Sequence, residues 1–218
     1  ASNDGKPRQI TWHYGKNAFY FSSTMHFYVY HEDSKKSWTE AKAACLATTH
    51  LGYSGYLATV TGREEFSQIG QKAGKSYWIG ASADSSRKWT WADGPEQGNQ
   101  FWQGNSVYNG GSSPIYAHNA VNLEYFPWNH FQPEATGGYV YLNHSAGPHS
   151  GSWGVTTNVA DPTIDIGGYI CEYGGLDTET VATEDDVSTF FGTAIAHYNC
   201  EDFGDQYACK RQRSNGCE

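Results

Sequence analysis

Gln132-Pro133-Glu134 sets an amide and a carboxylate on either side of a proline. Calcium takes roughly six to eight oxygen ligands, and both side chains supply oxygen. A cis bond before the proline would turn the two neighbours to one side. Cation binding is therefore the chemistry this triplet could do. His144 and His149 flank a Gly-Pro turn, and His130 precedes the triplet. Zinc needs a fixed tetrahedral set, and loop histidines at these spacings read as ordinary surface positions. No nucleophile elbow, metalloprotease helix, phosphate-cradling glycine loop or paired-carboxylate signature occurs. The chain is expected not to be an enzyme.

The triplet lies in a stretch rich in Gly, Asn and Ser, 97–138. A loop this long inside a domain is usually functional or disordered. Just before it, Trp78, Trp89 and Trp91 form the densest burial signal in the chain. Trp89 and Trp91 are two apart and share one face of an extended run. Tyr77 to Ile79 form a short run expected to stop at Gly80. Ser34 or Ser37 can cap a helix over Trp38–Leu46, with Trp38, Ala41, Cys45 and Leu46 on one stripe. Thr61 is placed to cap a second helix, with Glu64 at its capping-box position. Residues 10–14 and 18–30 alternate as strands, and 139–142, 151–155 and 168–173 read as three more. Val187, Phe190, Phe191, Ala194, Ile195 and Tyr198 recur at helical spacing after an acidic start at 184–186, which predicts an amphipathic helix.

Length and composition bound the reading. The 218 residues suit one domain with extensions. Only 17% are charged, 16% are aromatic and 25 are glycine, a loop-rich β composition. A net charge of −9 argues against nucleic acid and anionic membrane surfaces as partners. No apolar run approaches the roughly 20 residues of a membrane helix. Five cysteines suggest an oxidising compartment, hence a secreted or cell-surface location.

Seven motifs in order resemble the C-type lectin-like domain family. They are Trp38, Ala41 and Cys45; Leu57-Ala58-Thr59-Val60; Arg63-Glu64-Glu65-Phe66; Trp78-Ile79-Gly80; Gln132-Pro133-Glu134; Gly151-Ser152-Trp153; and Tyr169-Ile170-Cys171-Glu172. The resemblance covers about residues 26–175, and the wording looks most like compact members from microbial and marine surface proteins. It implies an α+β C-type lectin-like fold: two helices, two small antiparallel sheets and a long loop. Here the fold would gain N-terminal strands, making residues 1–175 the domain and 176–218 an amphipathic helix with a cysteine-containing tail.

The resemblance also assigns residues. Cys45 and Cys171 would form the family's outer disulfide. Gln132 and Glu134 would bind calcium and paired sugar hydroxyls together, in the amide-then-acid order of the galactose type. Trp128 or Tyr139 could lie against the sugar ring. The family's W-N-D strand supplies two more calcium ligands, but Gly154 and Val155 stand there. Asn158 and Asp161 would have to compensate, so calcium binding is expected to be weak, in the millimolar range. Glu172 could join Glu64 or Glu65 in a peripheral calcium site, though a solvated carboxylate is its ordinary reading. The function implied is an extracellular module recognising a glycan or surface glycoprotein through the long loop. The alternative is a calcium-independent protein–protein or structural module of a filament or adhesin. Of Cys200, Cys209 and Cys217, one must pair outside the tail or stay reactive, which allows covalent self-assembly.

Overall fold

The computed structural model describes residues 11–14, 17–73, 75–105, 121, 127–129, 132–144, 152–159 and 166–176. The expected helix over 183–198, the cysteines Cys200, Cys209 and Cys217, Asp161, His130 and His149 lie outside the described residues. Within them the chain runs β1 (Thr11–Tyr14), β2 (Ala18–Phe21), β3 (His26–His31), α1 (Trp38–Leu46), β4 (Thr49–His50), β5 (Tyr53–Leu57), α2 (Arg63–Lys72), β6 (Ser76–Ala83), β7 (Lys88–Trp91), β8 (Gln100–Gln103), β9 (Tyr139–Leu142), β10 (Trp153–Thr156) and β11 (Ile166–Tyr173).

Helix α1 begins where its cap dictates. Ser37 accepts from the Glu40 N–H, and Glu40 accepts from the Ser37 N–H and hydroxyl in return. Trp38, Ala41 and Cys45 are buried, whereas Leu46 is 52% exposed, so the apolar stripe is narrower than expected. Two indoles clamp α1 to β6: Trp38 donates to the Ile79 carbonyl at 2.8 Å, and Trp78 to the Lys36 carbonyl at 3.0 Å. Helix α2 starts one residue later than its motif suggested. Gly62 is the N-cap, and Glu65 rather than Glu64 reaches back, accepting from the N–H groups of Thr61 and Gly62.

The strands form one branched mixed sheet, in the order β1-β2-β3-β11-β6-β7-β8 along its main path. The closing strand β11 is its hub. It runs antiparallel to β3 and β5 and parallel to β6, and all eight of its residues are buried. Gly168 allows this crowding, because a Cβ there would lie 1.9 Å from the His31 carbonyl oxygen. The N-terminal hairpin β1–β2 extends the sheet through β3, as expected. Strand β6 does not stop at Gly80; it continues to Ala83 and pairs with β7. Part of the stretch read as loop is also strand, since β8 pairs with β7 and buries Phe101 and Trp102. Cys45 and Cys171 are bonded, tying α1 to β11 across 126 residues.

Much of the core is a cluster of rings. Trp91 and Trp153 meet edge-to-face at 5.6 Å, Trp128 and Trp153 at 5.5 Å, and Trp89 and Trp128 at 5.3 Å. Such edge-on packing is favourable beyond the area it buries.

Candidate functional site

The loop around Gln132 and Glu134 is built from the strands outward. Hairpin β9–β10 pairs with β6 through β9, and the 132–138 segment lies along its start. The Gly138 N–H donates to the Thr156 carbonyl, and the Gly138 carbonyl accepts from the Ala83 N–H. The Gln132–Pro133 bond is cis.

A single side chain holds this loop from across the sheet. Asp84 organises the β6–β7 turn by accepting from the N–H groups of Ser86 and Lys88 and from the Ser86 hydroxyl. The turn delivers Arg87, whose backbone is left-handed at φ 62°. Its guanidinium donates to the Glu134 carbonyl at 2.5 Å, to the Gly137 carbonyl, and to the Asn105 side-chain oxygen at 2.5 Å. It also lies 4.7 Å from the Trp89 ring.

The residues assigned by resemblance are not all brought together. The Gln132 side-chain oxygen faces inward and accepts from the Val155 N–H at 3.1 Å and the Glu134 N–H at 3.3 Å. Glu134 is exposed. Trp128 belongs to the ring cluster and is 8% exposed. Tyr139 packs on Trp38 at 4.9 Å and is half-buried. Asn158 caps α1: its oxygen accepts from the Thr39 N–H, and its amide donates to the Thr39 hydroxyl.

Gly154 and Val155 are shaped by packing. Val155 is fully buried in the core. A Cβ on Gly154 would lie 2.4 Å from the Tyr141 hydroxyl oxygen, so the phenol occupies the space where a side chain would start. An oxygen-bearing side chain at 154 would require Tyr141 to move, and one at 155 would replace a buried apolar side chain. Gly154→Ala is expected to cost about 1–3 kcal/mol by overpacking. Urea unfolding checks this, and a loss below about 0.5 kcal/mol would show that Tyr141 swings clear at little cost. Among the described residues, Glu134 alone of the assigned ligands keeps an exposed side-chain oxygen: the Gln132 oxygen is turned inward, positions 154 and 155 lack one, and Asn158 is committed to α1.

A second polar cluster joins Glu172 to Glu65, one of the two partners that the resemblance offered it, through Tyr28, which the sequence did not single out. Glu172 is fully buried, not solvated as its ordinary reading had it, and Glu65 is 3% exposed. Tyr28 on β3 lies between them, with its hydroxyl 2.6 Å from Glu65 and 3.0 Å from Glu172. Glu172 also meets His26 Nδ1 at 2.5 Å and accepts from the Thr59 N–H at 2.8 Å. Glu96 accepts from the Thr59 hydroxyl. Burial, then the charge of Glu172, pushes the Glu65 carboxyl up to about 8. The same two causes raise Glu96. Burial pulls the His26 imidazole down, but its hydrogen bond to Glu172 and the surrounding carboxylates raise it on balance. Among the described residues, no group of three or more His, Cys, Asp or Glu side chains is arranged to hold a metal ion.

Fold, disulfide and ordered motifs together define a C-type lectin-like domain. The sequence model of the C-type lectin family, described as the lectin C-type domain, matches residues 34–124 of the chain. A relative is halomucin of Haloquadratum walsbyi, 33% identical over 162 residues. That match takes in 72% of this chain, which spans about 2% of halomucin's length. Among solved structures, the cow CD23 carbohydrate-recognition domain is 17% identical, with 77% of this chain and 100% of that chain covered at a TM-score of 0.48. The mouse scavenger receptor C-type lectin carbohydrate-recognition domain is 21% identical, with 68% and 90% covered at a TM-score of 0.44.

Proposed function

We propose that this domain is a binding module of a secreted or cell-surface protein and recognises a glycan or glycoconjugate at the loop bearing Glu134. The observation that carries this reading is the exposed Glu134 carboxylate on a loop whose backbone Arg87 fixes. An ionised carboxylate can accept two hydrogen bonds from adjacent sugar hydroxyls. A preset loop reduces the ordering cost of that contact. The half-buried Tyr139 stands in the same hairpin as the loop's far end. The Cys45–Cys171 bond suits an oxidising compartment. No described helix is long and apolar enough to cross a membrane.

A glycan array probed with the unaltered chain and with Glu134→Ala tests the reading. Retained glycans whose signal falls at least tenfold in the variant are expected, a loss of the size that charge-assisted hydrogen bonds carry. No glycan above background would favour the second reading, a protein–protein or structural module. The inward turn of Gln132 favours that alternative, because it removes one of two polar groups from the face.

A further inference from the structure

We propose that Arg87 is the resident cation of this loop and fixes it in place of calcium. The guanidinium binds the carbonyl oxygens of Glu134 and Gly137, the two ends of the segment that follows the proline. Those oxygens are the backbone acceptors a divalent ion would otherwise recruit. Of the other assigned positions among the described residues, only Glu134 keeps an exposed side-chain oxygen. Gln132 is bonded to the β10 backbone, Asn158 to Thr39, and Tyr141 fills the space beside Gly154. A calcium ion entering here would also meet the fixed positive charge of Arg87 at close range, which is repulsive.

The position of Arg87 is itself supported. Asp84 folds the turn that carries it, the Gly104 N–H bonds the Arg87 carbonyl at 2.8 Å, and the Trp89 face backs the guanidinium. A planar fork with several donors can bridge two carbonyls and one amide oxygen at once; an ammonium cannot hold that geometry. Arg87 thus acts as a positioning residue for the loop, and the loop keeps its shape with no divalent ion present. The inference concerns how the loop is held and stands whether its partner is a glycan or a protein.

The test is hydrogen exchange of the 132–138 amides on the full chain, in EDTA and in millimolar calcium chloride, for the unaltered protein, Arg87→Lys and Arg87→Ala. Protection in the unaltered chain is expected to be the same in both buffers. Arg87→Ala should exchange about tenfold or more faster there, with the β3–β11 amides unchanged as the control for folding. Arg87→Lys keeps the charge without the fork and should fall between the two. Added ethylguanidinium should restore part of the protection to Arg87→Ala, whereas sodium at equal ionic strength should not. Protection that appears only with calcium in the unaltered chain would overturn the proposal. So would exchange in both variants equal to that of the unaltered chain. If Arg87→Ala fails to fold, the Arg87→Lys comparison and the calcium comparison decide alone. The glycan array in EDTA is read separately, so loss of sugar binding and loss of loop protection are distinguishable.

Discussion

Replacing both Cys45 and Cys171 with alanine should lower stability by roughly 5 kcal/mol, the loop-entropy value for a closure of this length. The bond joins residues 126 apart in sequence, so it constrains most of the domain's unfolded chain. Both cysteines are fully buried at the junction of α1 and β11. Without the link, the unfolded ensemble expands and exposes more surface. The urea m-value should therefore rise while the midpoint falls. Urea unfolding of the double variant, monitored by the buried tryptophans, reads both quantities. An unchanged m-value with less than about 1 kcal/mol lost would show that the crosslink does not limit the unfolded state.

Stability should also fall by roughly 3 kcal/mol as the pH rises from about 5 to about 8, through the carboxylates around Tyr28. The Tyr28 hydroxyl has one hydrogen to give and two carboxylate oxygens within reach. Both contacts are hydrogen bonds only when one carboxyl keeps its proton and donates. Glu65 is raised from an unfolded value of 4.5 to about 8 in the folded domain. A raised acid binds its proton more tightly when folded. Its contribution is thus fully present below the unfolded value and is lost as pH climbs through the folded one. His26 and Glu96 are raised too, so all three act in the same direction. Glu40 and Asp84 are lowered by hydrogen bonds to Ser37 and to Lys88, respectively, and lose their contributions only in stronger acid.

Glu65→Gln separates this account from general acid–base effects. The glutamine amide can donate to Tyr28, while its oxygen accepts from Thr61, reproducing the protonated carboxyl. The variant should match the parent near pH 5, exceed it near pH 8 and show a flatter profile between the two. Glu172→Ala should instead lose about 3–5 kcal/mol near pH 5, since it strands His26, Tyr28 and the Thr59 N–H in the interior, and less near pH 8, because the charge that raises Glu65 is removed with it. A Glu65→Gln profile parallel to the parent's would remove Glu65 as the source of the slope.

Much of the architecture was legible because it rests on short-range rules. Ser37 followed by Glu40 sets the start of α1 by capping alone. The aromatic-rich runs 18–30 and 139–142 read as strands that the structure contains, with 18–30 broken by a turn into β2 and β3. The spacing Trp38, Ala41, Cys45 and the terminal Tyr169-Ile170-Cys171 carried the resemblance that implied the disulfide. Readings failed where a local signal was ambiguous. Gly80 reads as a strand end, yet β6 runs through it. Gln100–Gln103 sits in a glycine-rich stretch, yet pairing with β7 makes it a strand. Glu64 and Glu65 are neighbours, and only the helix phase selects the one that points inward.

The sequence by itself determined the two helices and most strands, because periodicity lies along the chain, and its motif order carried the resemblance that implied the partner of Cys45. Tertiary structure alone decided what the loop could bind and where the buried protons lie. Arg87 meets Glu134 across 47 residues, and Tyr28 meets Glu172 across 144. Nothing in either neighbourhood announces the other. The pairing follows from strand register, from the β6–β7 turn that aims Arg87, and from the close approach that puts Tyr141 against Gly154. Gln132 was thereby turned inward and Asn158 committed to α1, since backbone hydrogen bonds claim oxygens that a linear reading leaves free.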